Sequence, residues 1–156
     1  MLVTGGAGFL GSHLVDRLLA DGDRVVGVDN LVTGSRTNLE HIAGDRPFTF
    51  IEADAALPWT WAQGLDKPAL IMHFASPASP VDYGREPLAT MAVNALGVMH
   101  GVELARATGA RLLFASTSEA YGEPLEHPQP ETYWVTSTRL ASGLATTNPS
   151  VTARPT

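Results

Sequence analysis

The 156-residue sequence contains no cysteine. Disulfide bonds, thiolate catalysis and cysteine-based zinc sites are therefore excluded. Basic residues are also few, because 10 lysines and arginines stand against 16 aspartates and glutamates, which leaves a net charge of −6 without any basic cluster. Such a chain is a poor partner for nucleic acids and for anionic membranes, and we expect it to bind neither.

Long apolar runs are missing as well. No run approaches the roughly 20 residues that a membrane-spanning helix needs. No signal-peptide pattern precedes the first apolar segment, which begins at Leu2. We therefore expect a cytoplasmic protein. The hydrophobic fraction of 44% and the charged fraction of 17% are typical of one globular domain of ordinary size.

The most informative segment spans residues 2–14, where an apolar run breaks into glycines and a helical pattern follows at once. Gly6, Gly8 and Gly11 fit the motif G-x-G-x-x-G, and Gly5, Gly8 and Gly11 fit the looser G-x-x-G-x-x-G. Glycines so spaced turn the chain, admit a pyrophosphate and let the helix pack on its strand. The amino end of the helix then attracts the phosphates. Alone, the motif is a weak signal.

A second feature supports a dinucleotide site. Residues 24–29 read as the next buried strand, which ends in Asp29, eighteen positions after Gly11. A carboxylate at that place accepts hydrogen bonds from the adenosine ribose. It would also repel a 2′-phosphate, so NAD is expected rather than NADP. The alternative interpretation of Asp29 is a plain turn residue.

Strand and helix patterns alternate along the first three quarters of the chain. The patterns predict strands from Leu2 and at 24–29, 48–52, 70–75 and 111–116, and a helix at 9–20. They also predict a long helical segment at 86–108, which Gly97 and Gly101 interrupt and Gly109 closes. Residues 33–44 read as a polar loop that leads into a short helix. Near-continuous apolar strands separated by helices predict an α/β fold, a Rossmann-like, doubly wound parallel sheet with helices on both faces.

Ligands of such sheets bind beyond the carboxyl ends of the strands. The residues that fall there are Gly5 to Gly11, Asp29, Asp54, Ser76 and the segment from Ser116 to Glu119. The hydroxyls and the carboxylate of the last segment suit proton transfer at a sugar oxygen. Their alternative interpretation is a set of turn and capping bonds. Asp54 is expected either to lie near adenine or to cap the segment that follows.

The histidines and tryptophans are less informative. His73 ends an apolar strand, and we interpret it as a core residue rather than a ligand. The remaining histidines, at positions 13, 41, 100 and 127, lack metal-ligand spacing, so no metal site is predicted. Trp59 and Trp61 are interpreted as packing residues.

Over residues 1–134 the sequence resembles the extended short-chain dehydrogenases/reductases, a group within the NAD-dependent epimerases/dehydratases. Within them it is most similar to the UDP-glucuronate decarboxylases. The strings that carry the resemblance are LVTGGAGFLGSHL, VVGVDNLVTG, HFASPASPVDYGREP, ARLLFASTSEAYGEP and HPQPETYW. The glycine motif is common to the superfamily, whereas the strings ASPASP and STSE-x-YG-x-P-x-x-HPQPE-x-YW are far more specific.

The resemblance implies a role for individual residues. The implied NAD-binding residues are Gly5, Gly8, Phe9, Leu10, Gly11, Asp29, Asn30, Thr33, Gly34, Asp54, Phe74, Ser76 and Ala115. Ser76, Tyr83 and Glu119 would contact the UDP-sugar. Thr117 would be the catalytic Ser/Thr of the superfamily, and Ser118 and Glu119 would serve decarboxylation.

The implied reaction oxidises the 4-hydroxyl of UDP-glucuronate with bound NAD, releases carbon dioxide and reduces the ketone to give UDP-xylose. Alternatives are a nucleotide-sugar 4,6-dehydratase or 4-epimerase, or a non-catalytic NAD-binding domain. Intact relatives are expected to form homodimers through helices around positions 86–108.

The chain departs from the family's pattern in two places. Ala92-Val93-Asn94 stands where many members read Lys-Thr-Asn, and His100 stands where an asparagine is common. The larger departure is that the catalytic Tyr-x-x-x-Lys pair is missing, because no tyrosine or lysine follows Tyr133. Residues 135–156 are instead rich in Thr, Ser, Ala and Pro. We therefore expect an incomplete NAD-binding domain over residues 1–134 and a disordered tail over residues 135–156.

A frameshift would account for this tail. Residues 135–151 can be encoded so that one added G after the Trp134 codon restores the reading GNVNPIGLRSCYDESKR, which continues the family's pattern and includes Tyr-x-x-x-Lys. We therefore hypothesise that a single G is lost from the gene or from its sequence. The product would keep the cofactor half, lack turnover, bind NAD weakly and expose apolar faces that reduce its stability.

Overall fold

The computed structural model of the chain describes residues 1–42, 44, 46–117, 121 and 125–133. By its internal contacts the chain divides into two units, Met1–Ala115 and Ser116–Thr156. The domain boundary predicted at residue 134 and the predicted tail at 135–156 lie outside the described residues.

Five parallel strands form one sheet in the first unit. The strands are β1 (Leu2–Thr4), β2 (Val25–Asp29), β3 (Phe48–Glu52), β4 (Leu70–His73) and β5 (Arg111–Phe114). Their order across the sheet is β3-β2-β1-β4-β5. The chain therefore crosses from one side of β1 to the other after β3, and this reversal opens a crevice at the carboxyl ends of β1 and β4. The predicted Rossmann-like parallel sheet is confirmed.

The helices pack around this sheet. They are α1 (Phe9–Ala20), α2 (Pro80–Arg85), α3 (Pro87–Ala92) and α4 (Val98–Thr108), and a π-turn over Val93–Gly97 joins α3 to α4. Short 3₁₀ helices cover Arg36–Leu39 and Thr60–Ala62. Gly109, with a φ of 77°, ends α4 in the left-handed conformation that favours glycine.

Two hydrophobic clusters form the core. One contains Val3, Val15 and Val25, and the other contains Leu2, Val28 and Ile71. Adjacent residues Leu2 and Val3 belong to different clusters because successive side chains of a strand point to opposite faces of the sheet. Each such buried side chain contributes about 1.5–3 kcal/mol.

The sequence located the strands well but not every boundary. The helix at 9–20 and the strand at 48–52 have the predicted bounds. The fourth and fifth strands are shorter than predicted and end at His73 and Phe114. The helical segment predicted at 86–108, with an interruption at Gly97, contains a π-turn that ends at this glycine; the π form of the interruption was not predicted.

Helix α2 was missed. Ser79 caps its amino end by accepting a hydrogen bond from the amide of Val81 at 3.3 Å, and Pro80 occupies the first turn. Ser-Pro is a recognisable helix start. The six-residue helix is too short to show a periodic apolar stripe.

The expectation that no segment is long and apolar enough to cross a membrane is wrong for one helical stretch. Pro87–Thr108 has 22 residues and a mean hydropathy of 1.3 in its best window. By length and composition alone this stretch could span a bilayer, although the core helix of a soluble protein passes the same test. One stripe of it, formed by Thr90, Val93, Gly97 and Gly101, is buried, and α4 packs on β4 and β5.

Candidate functional site

The glycine-rich loop between β1 and α1 lies at the carboxyl edge of the sheet. The amides of Gly5 and Gly6 both donate to the carbonyl of Val28, at 2.7 and 3.1 Å, so β2 holds the start of the loop. Gly5 has a φ of 76°, and a Cβ atom there would lie 2.7 Å from the Phe74 carbonyl carbon. No other residue fits both this conformation and this space.

The end of the loop also lies in close contact with main-chain atoms. A Cβ atom on Gly11 would overlap the carbonyl oxygen of Gly5, and one on Gly8 would lie 3.2 Å from the same oxygen. The helix α1 therefore packs directly against the loop. The surface that the loop presents at this point is bare main chain, as a closely bound pyrophosphate requires.

The amino end of α1 offers donors to such a ligand. No side chain caps the helix at Gly8, and no acidic residue lies in its first turn. The first amides of a helix have no partner within the helix. The side chains of Phe9 and Leu10 are 76% and 63% exposed, which leaves the approach to this turn open. The first turn can therefore donate hydrogen bonds to an anion.

Asp29 ends β2 beside this loop and is buried. Its carboxylate accepts hydrogen bonds from the amides of Ala7 at 3.0 Å and Leu31 at 2.8 Å. Asp29 therefore fixes the loop and also forms a turn, the role that the sequence offered as an alternative. A carboxylate has about four acceptor positions, so two of them remain for hydroxyl groups of a ligand.

The loop after β2 carries three more of the predicted residues. Asn30 accepts a hydrogen bond from the amide of Val32 at 3.2 Å, and Thr33 is exposed. A Cβ atom on Gly34 would lie 2.8 Å from the Asp29 carboxylate. Leu31 has a φ of 60°, which is uncommon for a residue other than glycine, asparagine or aspartate. The loop is thus held tightly against Asp29.

Asp54 follows β3. Its carboxylate accepts a hydrogen bond from the amide of Ala56 at 2.8 Å, as the capping interpretation predicted. The contact with adenine stays a prediction.

The carboxyl end of β4 carries the next group of predicted residues. The amide of Phe74 donates to the carbonyl of Thr4 at 3.1 Å, which extends the pairing of β4 with β1. Ser76 is exposed, and its hydroxyl accepts a hydrogen bond from the side-chain amide of Asn94 at 3.1 Å. Asn94 belongs to the π-turn and was not among the predicted site residues. The helical periodicity of the sequence gives no indication of this contact.

Tyr83 and Ala115 lie on other elements of the first unit. Tyr83 is half-buried in α2, and its amide donates to the carbonyl of Ser79 at 3.0 Å. The amide of Ala115 donates to the carbonyl of His73 at 3.1 Å, directly after β5. The structure thus brings together at one edge the glycine loop, Asp29, Ser76 and Ala115.

The proposed catalytic segment belongs to the second unit. Its first residues, Ser116 and Thr117, are described, and Thr117 is half-buried. Ser118 and Glu119 lie outside the described residues. Within this unit the hydroxyl of Tyr133 accepts a hydrogen bond from the amide of Leu125 at 3.1 Å, and the bond between His127 and Pro128 is cis.

His73 is a core residue, as predicted, with 1% of its surface exposed. Burial lowers the pKa of His73 below its usual 6.5, and the hydrogen bond to the Val93 carbonyl opposes this effect. Trp59 is also buried and donates to the carbonyl of Ala55 at 2.9 Å. In the described part of the chain, no group of three or more potential ligands could hold a metal ion.

The chain is similar to known proteins over most of its length. A family model described as the NAD dependent epimerase/dehydratase family matches residues 1–143. UDP-glucuronic acid decarboxylase 1 of Arabidopsis thaliana is 48% identical over 134 residues, which are 86% of this chain and 30% of the relative. The enzyme of the same description from Xenopus tropicalis is also 48% identical, over 86% of this chain and 31% of the relative. The chain thus spans less than a third of the length of these relatives.

Solved structures show the same fold. A UDP-galactose 4-epimerase superposes with a TM-score of 0.72 and 36% identity, over 86% of this chain and 44% of its own. A UDP-glucose 4-epimerase from Thermotoga maritima, solved with UDP-glucose, gives 0.73 and 36%, over 85% of this chain and 43% of its own. An enzyme from Bordetella bronchiseptica in complex with NAD and UDP gives 0.70 and 31%, over 86% and 43%. Because the family model covers residues 1–143 and solved members of similar sequence share this fold, the chain belongs to the NAD-dependent epimerase/dehydratase family.

Proposed function

We propose that this chain is the cofactor-binding part of an NAD-dependent enzyme that converts UDP-glucuronate to UDP-xylose and carbon dioxide. One observation carries the cofactor proposal: bare backbone between Gly5 and Gly11 adjoins the uncapped amino end of α1, with the Asp29 carboxylate beside it. The similarity to UDP-glucuronic acid decarboxylases supports the choice of substrate.

The residues present fit NAD. The amides near Gly8, Phe9 and Leu10 would hold the pyrophosphate, and Asp29 would accept hydrogen bonds from the adenosine ribose. A carboxylate in that position disfavours a 2′-phosphate, so NAD is expected to bind more tightly than NADP. When bound, NAD would supply the acceptor and donor of the hydride that the sugar loses and regains.

Residues of this chain would position the sugar. Ser76 and Tyr83 would bind the UDP-sugar, and the Thr117 hydroxyl would form a hydrogen bond to the sugar oxygen that loses its proton. Ser118 and Glu119 would act on the carboxylate that leaves as carbon dioxide. Proton transfer in this family also needs the Tyr-x-x-x-Lys pair, which the sequence lacks after Tyr133. We therefore propose that the 156-residue chain binds NAD weakly and does not turn over.

A 4-epimerase is the second candidate, because the solved neighbours include 4-epimerases at 36% identity. The two reactions differ in their products. The decarboxylase releases carbon dioxide and UDP-xylose, whereas an epimerase returns an isomer of its substrate.

We further propose that the intact protein forms a dimer through the outer face of α3 and α4. The large apolar side chains of this face are solvent-exposed in the single chain: Leu88, Met91, Leu96, Met99 and Val102. The opposite stripe of the same helices is buried on the sheet. An apolar face of this extent is typical of a protein interface, and a second copy would cover it by the same face.

Calorimetric titration tests the cofactor proposal. NAD is expected to bind the 156-residue chain, and NADP is expected to bind at least tenfold more weakly, because the Asp29 carboxylate would be brought close to a phosphate. Asp29→Asn should reduce this difference, whereas the matched control Asp66→Asn, at an exposed aspartate in the segment before β4, should leave it unchanged. If NAD and NADP bind equally well, the assigned role of Asp29 is wrong. If neither binds, the proposed cofactor site is wrong for this chain.

A further inference from the structure

A buried histidine lies directly beneath the candidate site and has no part in the proposed function. His73 ends β4, and its ring lies 5.9 Å from the Phe114 ring and 6.3 Å from the Trp59 ring. Both ring nitrogens have polar partners. Nδ1 lies 2.7 Å from the Thr4 hydroxyl, and Nε2 lies 3.3 Å from the carbonyl of Val93.

The partners determine the tautomer of His73. A carbonyl oxygen only accepts hydrogen bonds, so Nε2 must carry the hydrogen that points to Val93. In the neutral ring Nδ1 is then the acceptor, and the Thr4 hydroxyl donates to it. The hydrogen-bond network thus assigns the Nε2–H tautomer.

The Val93 carbonyl lies at the start of the π-turn. This turn, Val93–Gly97, interrupts the helical stretch, and its last residue also meets the histidine. A Cβ atom on Gly97 would lie 2.7 Å from Cε1 of His73. The imidazole therefore fills the space between the first and last residues of the turn. Turns of this kind within helices are rare and frequently lie at functional sites.

Asn94 follows Val93 and connects the turn to the site. Its side-chain amide donates to the carbonyl of Thr90 at 3.0 Å and to the hydroxyl of Ser76 at 3.1 Å. Ser76 lies beyond the carboxyl end of β4, at the edge where Gly5 contacts Phe74. A shift of the turn would therefore move the amide that holds Ser76.

We propose that His73 is a positioning residue of the cofactor crevice, which holds the π-turn through Val93 so that Asn94 binds Ser76. The proposal rests on the proposed function only in calling this edge a cofactor site. The mechanical part, from His73 through Val93 to Asn94, concerns the chain without any ligand. It can therefore be tested whether or not the chain binds NAD.

Nuclear magnetic resonance of the 156-residue chain tests the first step. Long-range correlations between ring protons and nitrogens distinguish the two tautomers of a neutral histidine and its charged form. At pH 7.5 we expect the neutral Nε2–H tautomer for His73. The Nδ1–H tautomer or a charged ring would overturn the proposal, and this measurement needs no variant.

Substitutions of His73 test the second step through hydrogen exchange of the Asn94 side-chain amide. His73→Leu removes the donor to Val93, and exchange should become about five- to tenfold faster, the change expected for loss of one buried hydrogen bond. His73→Gln keeps a donor of similar reach and should restore slow exchange. Unchanged exchange in His73→Leu, or equally fast exchange in both variants, would overturn the proposal.

Two further variants separate positioning from general loss of stability. Val15→Ala weakens the cluster that contains Val3, Val15 and Val25 but not Val93, and should leave Asn94 exchange unchanged. Gly97→Ala places a Cβ atom 2.7 Å from Cε1 of His73, which would displace the imidazole, and should reproduce the effect of His73→Leu. If Val15→Ala accelerates exchange as much as Gly97→Ala, the effect is one of stability and the proposal is wrong. Failure of NAD to bind the wild-type chain would overturn the proposed function alone.

Discussion

The two lateral sides of the sheet, one formed by β1 and β2 and the other by β5, differ in how completely their residues are buried. On one side, β1, β2 and α1 enclose a core in which Val3, Ala7 and Val15 have no exposed surface. On the other, Leu113 and Phe114 of β5 are 44% and 37% exposed, and Leu88 of α3 is 78% exposed. Both sides carry large apolar residues, so the difference lies in the packing partners that each side finds within the described chain.

This contrast indicates which part of the molecule is self-sufficient, in the sense that its own residues bury its apolar surface. The glycine loop, Asp29 and α1 hold one another through short hydrogen bonds and close backbone contacts. The side formed by β5, α3 and α4 presents apolar surface of the kind that proteins cover with further elements or partners. Relatives are about three times as long as the chain aligned to them, so they have residues that could provide such cover.

The largest expected effect concerns activity. Restoring one G after the Trp134 codon should give a chain that reads through Tyr-x-x-x-Lys and releases carbon dioxide from UDP-glucuronate. The 156-residue chain should release none. In the restored protein, replacing that tyrosine by phenylalanine should lower the rate by about 10²–10⁴-fold, the usual contribution of a general acid–base group. Carbon dioxide release by the 156-residue chain would contradict the assignment.

The gene itself provides the control for this prediction. The codons for residues 135–151 must give the family's continuation once the base is added. If they do not, the frameshift hypothesis is wrong. A product other than UDP-xylose from the restored enzyme would favour the epimerase or dehydratase alternatives.

The next largest effect concerns the self-sufficient side. Gly11→Val places a side chain where the carbonyl of Gly5 lies, and should destabilise the fold by about 3 kcal/mol, at the upper end of typical overpacking costs. The matched control is Gly84→Ala in α2, where an added Cβ meets nothing. That change should stabilise by about 0.5–1 kcal/mol. Urea unfolding measures both, and similar stabilities for the two variants would refute the close-contact account of the loop.

A smaller effect is expected on the exposed side. The double variant Leu88→Asp and Met99→Asp places charges on the proposed dimer face, and should convert the frame-restored protein from dimer to monomer in analytical ultracentrifugation. Val32→Asp is the control, since Val32 is equally exposed, at 65%, but lies in the loop after β2. A dimer that survives the double variant would place the interface elsewhere.

The smallest expected effect is a pH dependence of stability. Because burial lowers the pKa of His73, the unfolded chain binds more protons than the folded chain below about pH 6.5. The free energy of unfolding should therefore fall as the pH drops below that value, until the pH reaches the folded pKa. Above about pH 6.5 His73 contributes no pH dependence.

His73→Gln should remove this contribution. The difference in unfolding free energy between wild type and variant, measured in urea at pH 7.5 and pH 5.5, isolates it from the other titrating groups. A difference that does not change between these two pH values would show that His73 is not held neutral by burial.

Local patterns in the sequence predicted much of the fold. The strand at 48–52 and the helix at 9–20 have the predicted bounds, because alternating burial and a regular apolar stripe leave a clear signal. The glycine spacing predicted a tight turn at the start of the loop and close packing of the helix at Gly11, whereas the close approach of Gly5 to Phe74 was not predicted. Asp29 was predicted at the strand end, although its bonds to Ala7 and Leu31 were not.

Other parts of the site left no such signal. The bond between Asn94 and Ser76 joins residues 18 positions apart on different elements, so periodicity contains no trace of it. The helical segment at 86–108 was predicted to be interrupted at Gly97 and Gly101, but the π-turn over Val93–Gly97 was not predicted, because a glycine in a helical pattern does not indicate which kind of interruption it causes. Helix α2 was missed because six residues span less than two turns.

The order of strand and helix, the glycine loop and the carboxylate after the second strand were determined by the sequence alone. These features depend on residues within a few positions of one another, where backbone conformation and side-chain periodicity act directly. The tertiary structure alone decided that His73, Thr4 and Val93 form one hydrogen-bonded group and that Asn94 reaches Ser76. Such contacts depend on how separate elements pack, which is set by the whole core rather than by any local segment.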